Sequence, residues 1–356
     1  MRFFTAGESH GPALLAFLSE FPAGLTIDTE FMQSELRRRR STYGRGPRQA
    51  RESDRVRILS GLYEGATTGA PIALLLDNQV AADREASFLP RSGHADLVGY
   101  LKYNLAHPLV PAERASARET AARVAAGAIC KQLLALLGCR FYSITRRIGS
   151  VLYAGARDAS GTSPLLVGEK QVEERMRAAI DEAAQRGDSL DGSVEVCADS
   201  PCPGLGSYCQ WDKRLDGKLG QAMLSIPAVK GITIGSQRQQ EMDAITYDKR
   251  SGYGRASNIL GGLEAGVTTG RPIRMQLLVK AVPTVGKGRP TVDVLTKQPG
   301  MSPAVRADTC IVPTVGVIAE AMAAIVLART YLTVFGGDTV ADIQARHAQY
   351  VDRLRT

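Results

Sequence analysis

No C-x-x-C pair and no Cys/His group at zinc spacing occurs among the six cysteines, which stand at 130, 139, 197, 202, 209 and 310. No structural metal is therefore expected. The thiols are expected to be reduced and mostly buried, since Cys130 and Cys139 lie in or beside an apolar helical segment. No apolar run reads as long enough to cross a bilayer, and the N-terminus has neither the charged start nor the continuous apolar stretch of a signal peptide. The expected location is cytoplasmic, with no membrane partner. Nor does a low-complexity linker divide the 356 residues, which are expected to form a single domain, 1–356. Histidine is scarce, at four, so the surroundings of each are informative.

Hydrophobic residues make up 44% of the chain, enough for a substantial core, and the net charge is +8. A basic balance favours an anionic partner, and where the charge sits decides between a polymer and a small molecule. Nine arginines fall between Arg37 and Arg57, against two acids, Glu52 and Asp54. A nucleic-acid surface would interleave aromatic residues for stacking, and only Tyr43 does so here. The other possibility is that STYGRGPR forms a loop folding guanidinium groups onto a phosphate or carboxylate, which arginine grips with two parallel hydrogen bonds.

The chain repeats itself once. GLYEGATTGAPI at 61–72 returns as GLEAGVTTGRPI at 262–273, an offset of 201, and the same offset relates Glu119 to Glu320, each near the start of a long apolar segment. A period this long implies a duplicated unit, with similar halves at roughly 1–140 and 190–336. The first apolar segment opens on the capping box Ser116-Ala117-Arg118-Glu119 and closes at Gly138, a helix of about five turns. The second follows Pro313, is apolar nearly all round and stops at Gly336 and Gly337, so both helices should be central. Around them RVRILSGLYEG, PIALLLDN, RFYSITRRIGSVLYA, SVEVCA, GITIGS and PIRMQLLVKAV read as strands. EKQVEERMRAAIDEAAQRG reads as a surface helix and 338–356 as a polar C-terminal helix. An α+β layering with helices covered by sheet follows.

Gly7-Glu8-Ser9-His10-Gly11 matches the G-x-S-x-G string of a serine-hydrolase nucleophile elbow. An elbow needs a helix after its serine, and PALLAFLSEFPAG reads as a strand, so Ser9 is expected to serve local hydrogen bonding. His10, between Ser9 and Gly11, can approach a ligand closely or simply tie down a turn. His94 lies in LPRSGHADLVGYLKY beside Arg91 and Asp96, either functional or bonded to a neighbouring carboxylate. His107 and His347 read as structural.

GESHG, RRRRSTYGRGPR, RSGHAD, RASARETAARVAAGAICK, GLGSYCQWDKRLDGKLGQAMLSIPAVKGITIG, NILGGLEAGVTTGRPI, and RADTC followed by IAEAMAAIVLA occur in that order from Gly7 to about Ala328. Together they resemble chorismate synthase. That resemblance implies a β-α-β sandwich, with central helices between antiparallel sheets and an internal pseudo-twofold repeat. It implies a homotetramer that eliminates phosphate and a ring proton from 5-enolpyruvylshikimate 3-phosphate with reduced FMN, and that acts on no nucleic acid. The reductant it implies is NADPH or an external flavin reductase, and nothing in the sequence resembles an added reductase domain.

Carried over by motif, the resemblance implies that His10 protonates the departing phosphate, His94 stabilises reduced flavin and Asp308 assists removal of the ring proton. Arg39 and Arg45, with Arg48 beside them, match the arginines assigned to substrate or NADP. Flavin contacts are implied at Arg114, Ala115 and Ser116, where backbone N–H groups at a helix start can receive phosphate. They are also implied at Pro227, Ala228, Gly261, Lys280, Ala281, Val282, Pro283, Thr284 and Arg306. For Gly261 and Ala228 taken singly, tight packing is the alternative. Ala281 and Ser92 stand where proline is common in the family.

Overall fold

The structure is a computed structural model that describes residues 1–46, 52–79, 87–236, 241–249, 252–283, 286, 288–304 and 308–354. Arg48, Thr284 and Arg306 lie outside the described residues. Four strands form the first sheet: β1 (Arg2–Ala6), β2 (Ala13–Ser19), β3 (Val56–Ser60) and β4 (Ile72–Asp77) pair antiparallel in the order β1-β2-β4-β3. Leu14, Ala16 and Leu18 on β2 and Ile72, Leu74 and Leu76 on β4 are fully buried, while the residues between them are not. The stretch after GESHG is thus a strand, as its pattern requires.

The second sheet comprises β5 (Arg140–Ile148), β6 (Val151–Leu152), β7 (Gly192–Asp199), β8 (Val229–Ile234) and β9 (Ile273–Val279), antiparallel in the order β8-β9-β7-β5-β6. The helices are α1 (Thr29–Arg40), α2 (Asp96–Lys102), α3 (Leu109–Arg114), α4 (Thr120–Leu136), α5 (Lys170–Gln185), α6 (Leu215–Leu224), α7 (Val312–Phe335) and α8 (Val340–Leu354). Helix α4 packs on β2 and β4, α7 packs on β5 and β7, and the two helices pack on each other. The α+β sandwich expected from the sequence is this arrangement.

The two central helices meet at Gly127. A Cβ there would lie 2.4 Å from Ala321 Cβ and 2.7 Å from Ala321 Cα, and backbone cannot move aside as a side-chain tip can. Alanine is the better helix former by about 1 kcal/mol, so propensity alone would stabilise a Gly127→Ala variant. We expect the crowding to win, with a net loss of about 1–3 kcal/mol in urea unfolding. A neutral or stabilised variant would show that the helices can separate freely.

Two expectations are corrected. Ser116 Oγ does accept Arg118 N–H at 3.3 Å, but Glu119 does not return the bond of a capping box: its carboxylate takes Arg123 at 2.8 Å and Thr5 Oγ1 at 2.5 Å, and α4 begins only at Thr120. Glu320 sits in the third turn of α7, fully buried. Lastly, α7 is long and apolar enough to cross a membrane, contrary to the reading of the sequence, but 89% of its most apolar window is buried inside the protein, where it forms the core.

Helix α1 was not foreseen. Asp28 caps it by accepting Phe31 N–H at 2.9 Å, Glu30 lies in its first turn and the four arginines fill its last, where cations complement the helix dipole. The four-arginine run thus closes a helix and turns partly inward: Arg39 is buried, and Arg38 pairs with Glu35 and Glu320.

The repeat extends beyond its sequence signature. The hairpin pairing Leu62 with Thr67 recurs as Leu263 with Thr268. Thr67 Oγ1 donates to Pro22 O at 2.6 Å and accepts Leu25 N–H at 2.9 Å; Thr268 Oγ1 donates to Cys202 O at 2.6 Å and accepts Leu205 N–H at 2.8 Å. The loops held by the two threonines differ in offset from the hairpins, because the second half inserts a longer connection between them.

Cys130, Cys139, Cys197, Cys202 and Cys310 are buried and Cys209 is exposed. Burial pushes each of the five buried thiols up to about 12.

Candidate active site

The helical period of α1 puts Met32, Glu35, Leu36 and Arg39 on one buried face, carrying a guanidinium into the core. Arg39 donates to Thr120 Oγ1 at 3.0 Å and Ala117 O at 3.1 Å, and pairs with Asp54 at 3.4 Å. Burial pushes its pKa down to about 10; Asp54 opposes that, while Arg45 and Arg118 add to it. It remains a cation at neutral pH. Arg45 pairs with Asp308 at 2.8 Å, and the other Asp308 oxygen accepts Gly46 N–H at 2.7 Å. Arg45 Nε is buried without a hydrogen-bond partner among the described residues. Arg39 and Arg45 both line a pocket of about 20 Å³, together with Thr120, Pro227, Thr314 and Ile318. The pocket is thus walled by two cations and apolar groups.

His10 sits in a turn pinned from several sides. Gly7 adopts φ +97°, and a Cβ there would strike Ala13 O at 2.2 Å, so only glycine serves. Asn78 Nδ2 donates to Glu8 O at 3.0 Å and Gly11 O at 2.8 Å, and Ser9 N–H donates to Glu113 O at 3.1 Å. Both His10 N–H, at 2.8 Å, and His10 Nδ1, at 2.7 Å, meet Glu113 Oε2. Ser9 is buried and precedes a strand, so the geometry of a nucleophile elbow is not met. The His10 turn connects to the arginine pocket through Asn78 Oδ1, which accepts Arg118 Nε at 2.9 Å, and through Asp54, which pairs with both Arg118 and Arg39.

His94 bonds Asp96 Oδ1 through Nδ1 at 2.6 Å, and Arg91 grips the same carboxylate at 2.7 Å. Burial works to raise the Asp96 pKa, but hydrogen bonds from His94 and Arg91 outweigh it and hold the carboxyl well below its usual range. Gly93 O accepts Lys280 Nζ at 3.2 Å, and Lys280 N–H donates to Ala228 O at 2.9 Å. Ala228 takes φ +72° in a turn closed by Val229 N–H on Ile226 O; an alanine held in the left-handed region is strained. Burial, then Lys230 and Arg289, push the Lys280 pKa down. Ser189 Oγ donates to Val282 O at 3.0 Å, fixing the segment that carries Ala281 and Pro283.

The structure thus joins Arg39, Arg45 and Pro227 around one pocket, with Asp308 paired to Arg45, and joins Ala228, Lys280 and the His94 loop beside it. Gly261 stands apart from these contacts: at φ +68° it packs on Gly235, whose N would lie 2.4 Å from an added Cβ. Arg114 turns back to Thr5 O at 2.9 Å and Gly7 O at 3.2 Å, and Ala115 N–H is bonded to Pro111 O at 3.0 Å. Ala115 therefore has no N–H left for a phosphate, and Ser116 Oγ caps the turn that follows. Sequence inspection missed Glu113, Asn78, Thr120 and Arg118 as site residues and noted Asp54 only as an acid among arginines.

The family model described as chorismate synthase matches residues 1–332. The chain is 41% identical over 383 residues to a chorismate synthase from Desulforudis audaxviator (strain MP104C), covering 100% of this chain and 98% of the relative. It is 41% identical over 376 residues to one from Rubrobacter xylanophilus, covering 99% and 97%. A solved structure described as a crystal structure of chorismate synthase superposes with a TM-score of 0.82 at 36% identity, covering 99% of this chain and 98% of the other.

Proposed function

The chain belongs to the chorismate synthase family and is a carbon–oxygen lyase acting on phosphates; on that premise we propose that it converts 5-enolpyruvylshikimate 3-phosphate to chorismate and phosphate by a 1,4-anti elimination with reduced FMN. One observation carries the assignment: two arginines with buried side chains share a pocket, and one of them, Arg45, has a buried N–H without a partner among the described residues, which suits an anionic ligand.

In this reading Arg39 and Arg45 hold anionic groups of the substrate. Arg39 is aimed by Thr120 and Ala117 and Arg45 by Asp308, so little side-chain freedom is lost on binding. His10 gives a proton to the departing phosphate oxygen as the C–O bond breaks. Asp308, oriented by Arg45 and Gly46 N–H, assists departure of the ring proton as the new double bond forms. The fit of the chain to a flavin phosphate rests on Lys280, whose neighbours Lys230 and Arg289 add positive charge, and on the strained Ala228 turn that Lys280 N–H grips. When bound, reduced FMN supplies transient electron density that lets phosphate leave from a ring whose C–H is only weakly acidic. His94, paired with Asp96, stands beside Lys280 through Gly93 and stabilises the reduced cofactor.

The proposal takes residues 1–356 as one domain of two related halves, assembled as a cytoplasmic homotetramer, with reduced flavin delivered by an external donor. The test is anaerobic turnover of the enolpyruvyl substrate. Chemically reduced FMN alone is expected to give full turnover, and oxidised FMN with NADPH none. No turnover with reduced FMN would overturn the activity; turnover with oxidised FMN and NADPH would overturn the external donor.

A further inference from the structure

We infer that Glu113 is a positioning residue that fixes the tautomer of His10; the inference deepens the proposed reaction and rests on His10 as its acid. The two residues are 103 apart in the chain, on α3 and on the turn between β1 and β2. A single oxygen, Glu113 Oε2, lies 2.8 Å from His10 N and 2.7 Å from His10 Nδ1. A carboxylate only accepts, so the neutral ring must carry its proton on Nδ1 to make that contact. Free imidazole prefers the other tautomer, and the carboxylate reverses the preference.

The consequence for proton transfer follows directly. In the imidazolium both nitrogens carry protons, and the one on Nδ1 is held by Glu113. The transferable proton is therefore the one on Nε2. Once it has gone to the phosphate oxygen, the ring is left as the neutral Nδ1–H form that Glu113 already favours, so no rearrangement follows the step. Charge and tautomer control can be separated, because Glu113 Oε2 also receives the fixed backbone N–H of His10. Glutamine at 113 must place its carbonyl oxygen, not its amide nitrogen, at that point. Glu113→Gln should then keep the tautomer and lose the charge, whereas Glu113→Ala loses both.

The experiment is nitrogen-15 NMR of the histidine-labelled full-length chain, where four histidines make the spectrum readable, alongside turnover with reduced FMN. In neutral His10, wild type and Glu113→Gln should show a protonated Nδ1 and a bare Nε2, and Glu113→Ala the reverse. The alanine variant should lose about 10- to 100-fold in kcat with little change in KM, and glutamine should restore part of it. Matching melting curves separate this from misfolding. An alanine variant whose His10 nitrogens match wild type overturns the inference. A reversed tautomer with undiminished kcat upholds Glu113 as the residue that sets it and removes His10 from its assigned role as acid.

Discussion

His10→Ala is expected to lower turnover with reduced FMN by about 10²- to 10⁴-fold, the usual worth of a positioned general acid. Ser9→Ala should cost far less, because Ser9 transfers no proton in the proposed reaction and its backbone N–H, which alanine keeps, still reaches Glu113 O. The turn should survive the loss of the imidazole. Asn78 still holds Glu8 O and Gly11 O, Ser9 N–H still reaches Glu113 O, and the position 10 N–H still reaches the Glu113 carboxylate. The loss should therefore fall on kcat and leave KM nearly unchanged, since Arg39 and Arg45 belong to other elements. Steady-state kinetics on both variants decides the matter. Equal losses for Ser9→Ala and His10→Ala would point back to a hydrolase-like serine, and undiminished turnover without the imidazole would remove it from the reaction.

Glu320→Ala should destabilise the protein by about 3–5 kcal/mol, because it removes one partner from a buried ion network and leaves the others. Both Glu320 oxygens accept from Arg38, each at 3.0 Å, and they also take Lys131 Nζ and Ser143 Oγ, each at 2.6 Å. Glu35 joins from α1, bonding Arg38 at 2.6 Å and also Lys131. Two acids and two bases balance inside α1, α4 and α7, and without Glu320 two cations face one acid there. Burial works to raise the Glu320 pKa, but Arg38 and Lys131 outweigh it and bring the carboxyl below its ordinary 4.5. A pKa lowered by folding means a contribution fully present above about pH 4.5 and lost as the pH falls from there through the folded value. Urea unfolding at neutral pH should show the full gap between wild type and variant, and the gap should narrow on acidification below that value. A gap under about 1 kcal/mol at neutral pH, within the range of an exposed pair, would mean that the network contributes no more than surface charges do.

These effects differ in how far they could be read in advance. Strands such as Ala13–Ser19 and Ile72–Asp77 were legible as short aliphatic runs closed by turn-forming residues, a local signal, although their alternate burial shows only in the fold. The repeat at 61–72 and 262–273 was legible because its glycines and threonines recur at one spacing, whereas the hairpin each copy forms was not. Helix α1 was obscured by its own composition: four consecutive arginines mask the buried face of Met32, Leu36 and Arg39. What stayed illegible was pairing across the chain. Glu320 lies 282 residues from Arg38, and Glu113 lies 103 from His10, and no local periodicity links such residues. The arginines and histidines could be named, but the groups that aim them could not, because those partners are chosen by tertiary packing.

The interior thiols carry a consequence for life with oxygen. In the proposed reaction, dihydroflavin that escapes into air makes hydrogen peroxide, and peroxide attacks thiolate, not thiol. With the pKa values of Cys130, Cys139, Cys197, Cys202 and Cys310 pushed to about 12, almost none of these sulfurs is ionised at neutral pH, and none is open to solvent. Oxidant generated at the protein's own doorstep thus meets one accessible sulfur of the six, Cys209, and sulfenic acid formed there would leave the packing of the central helices untouched.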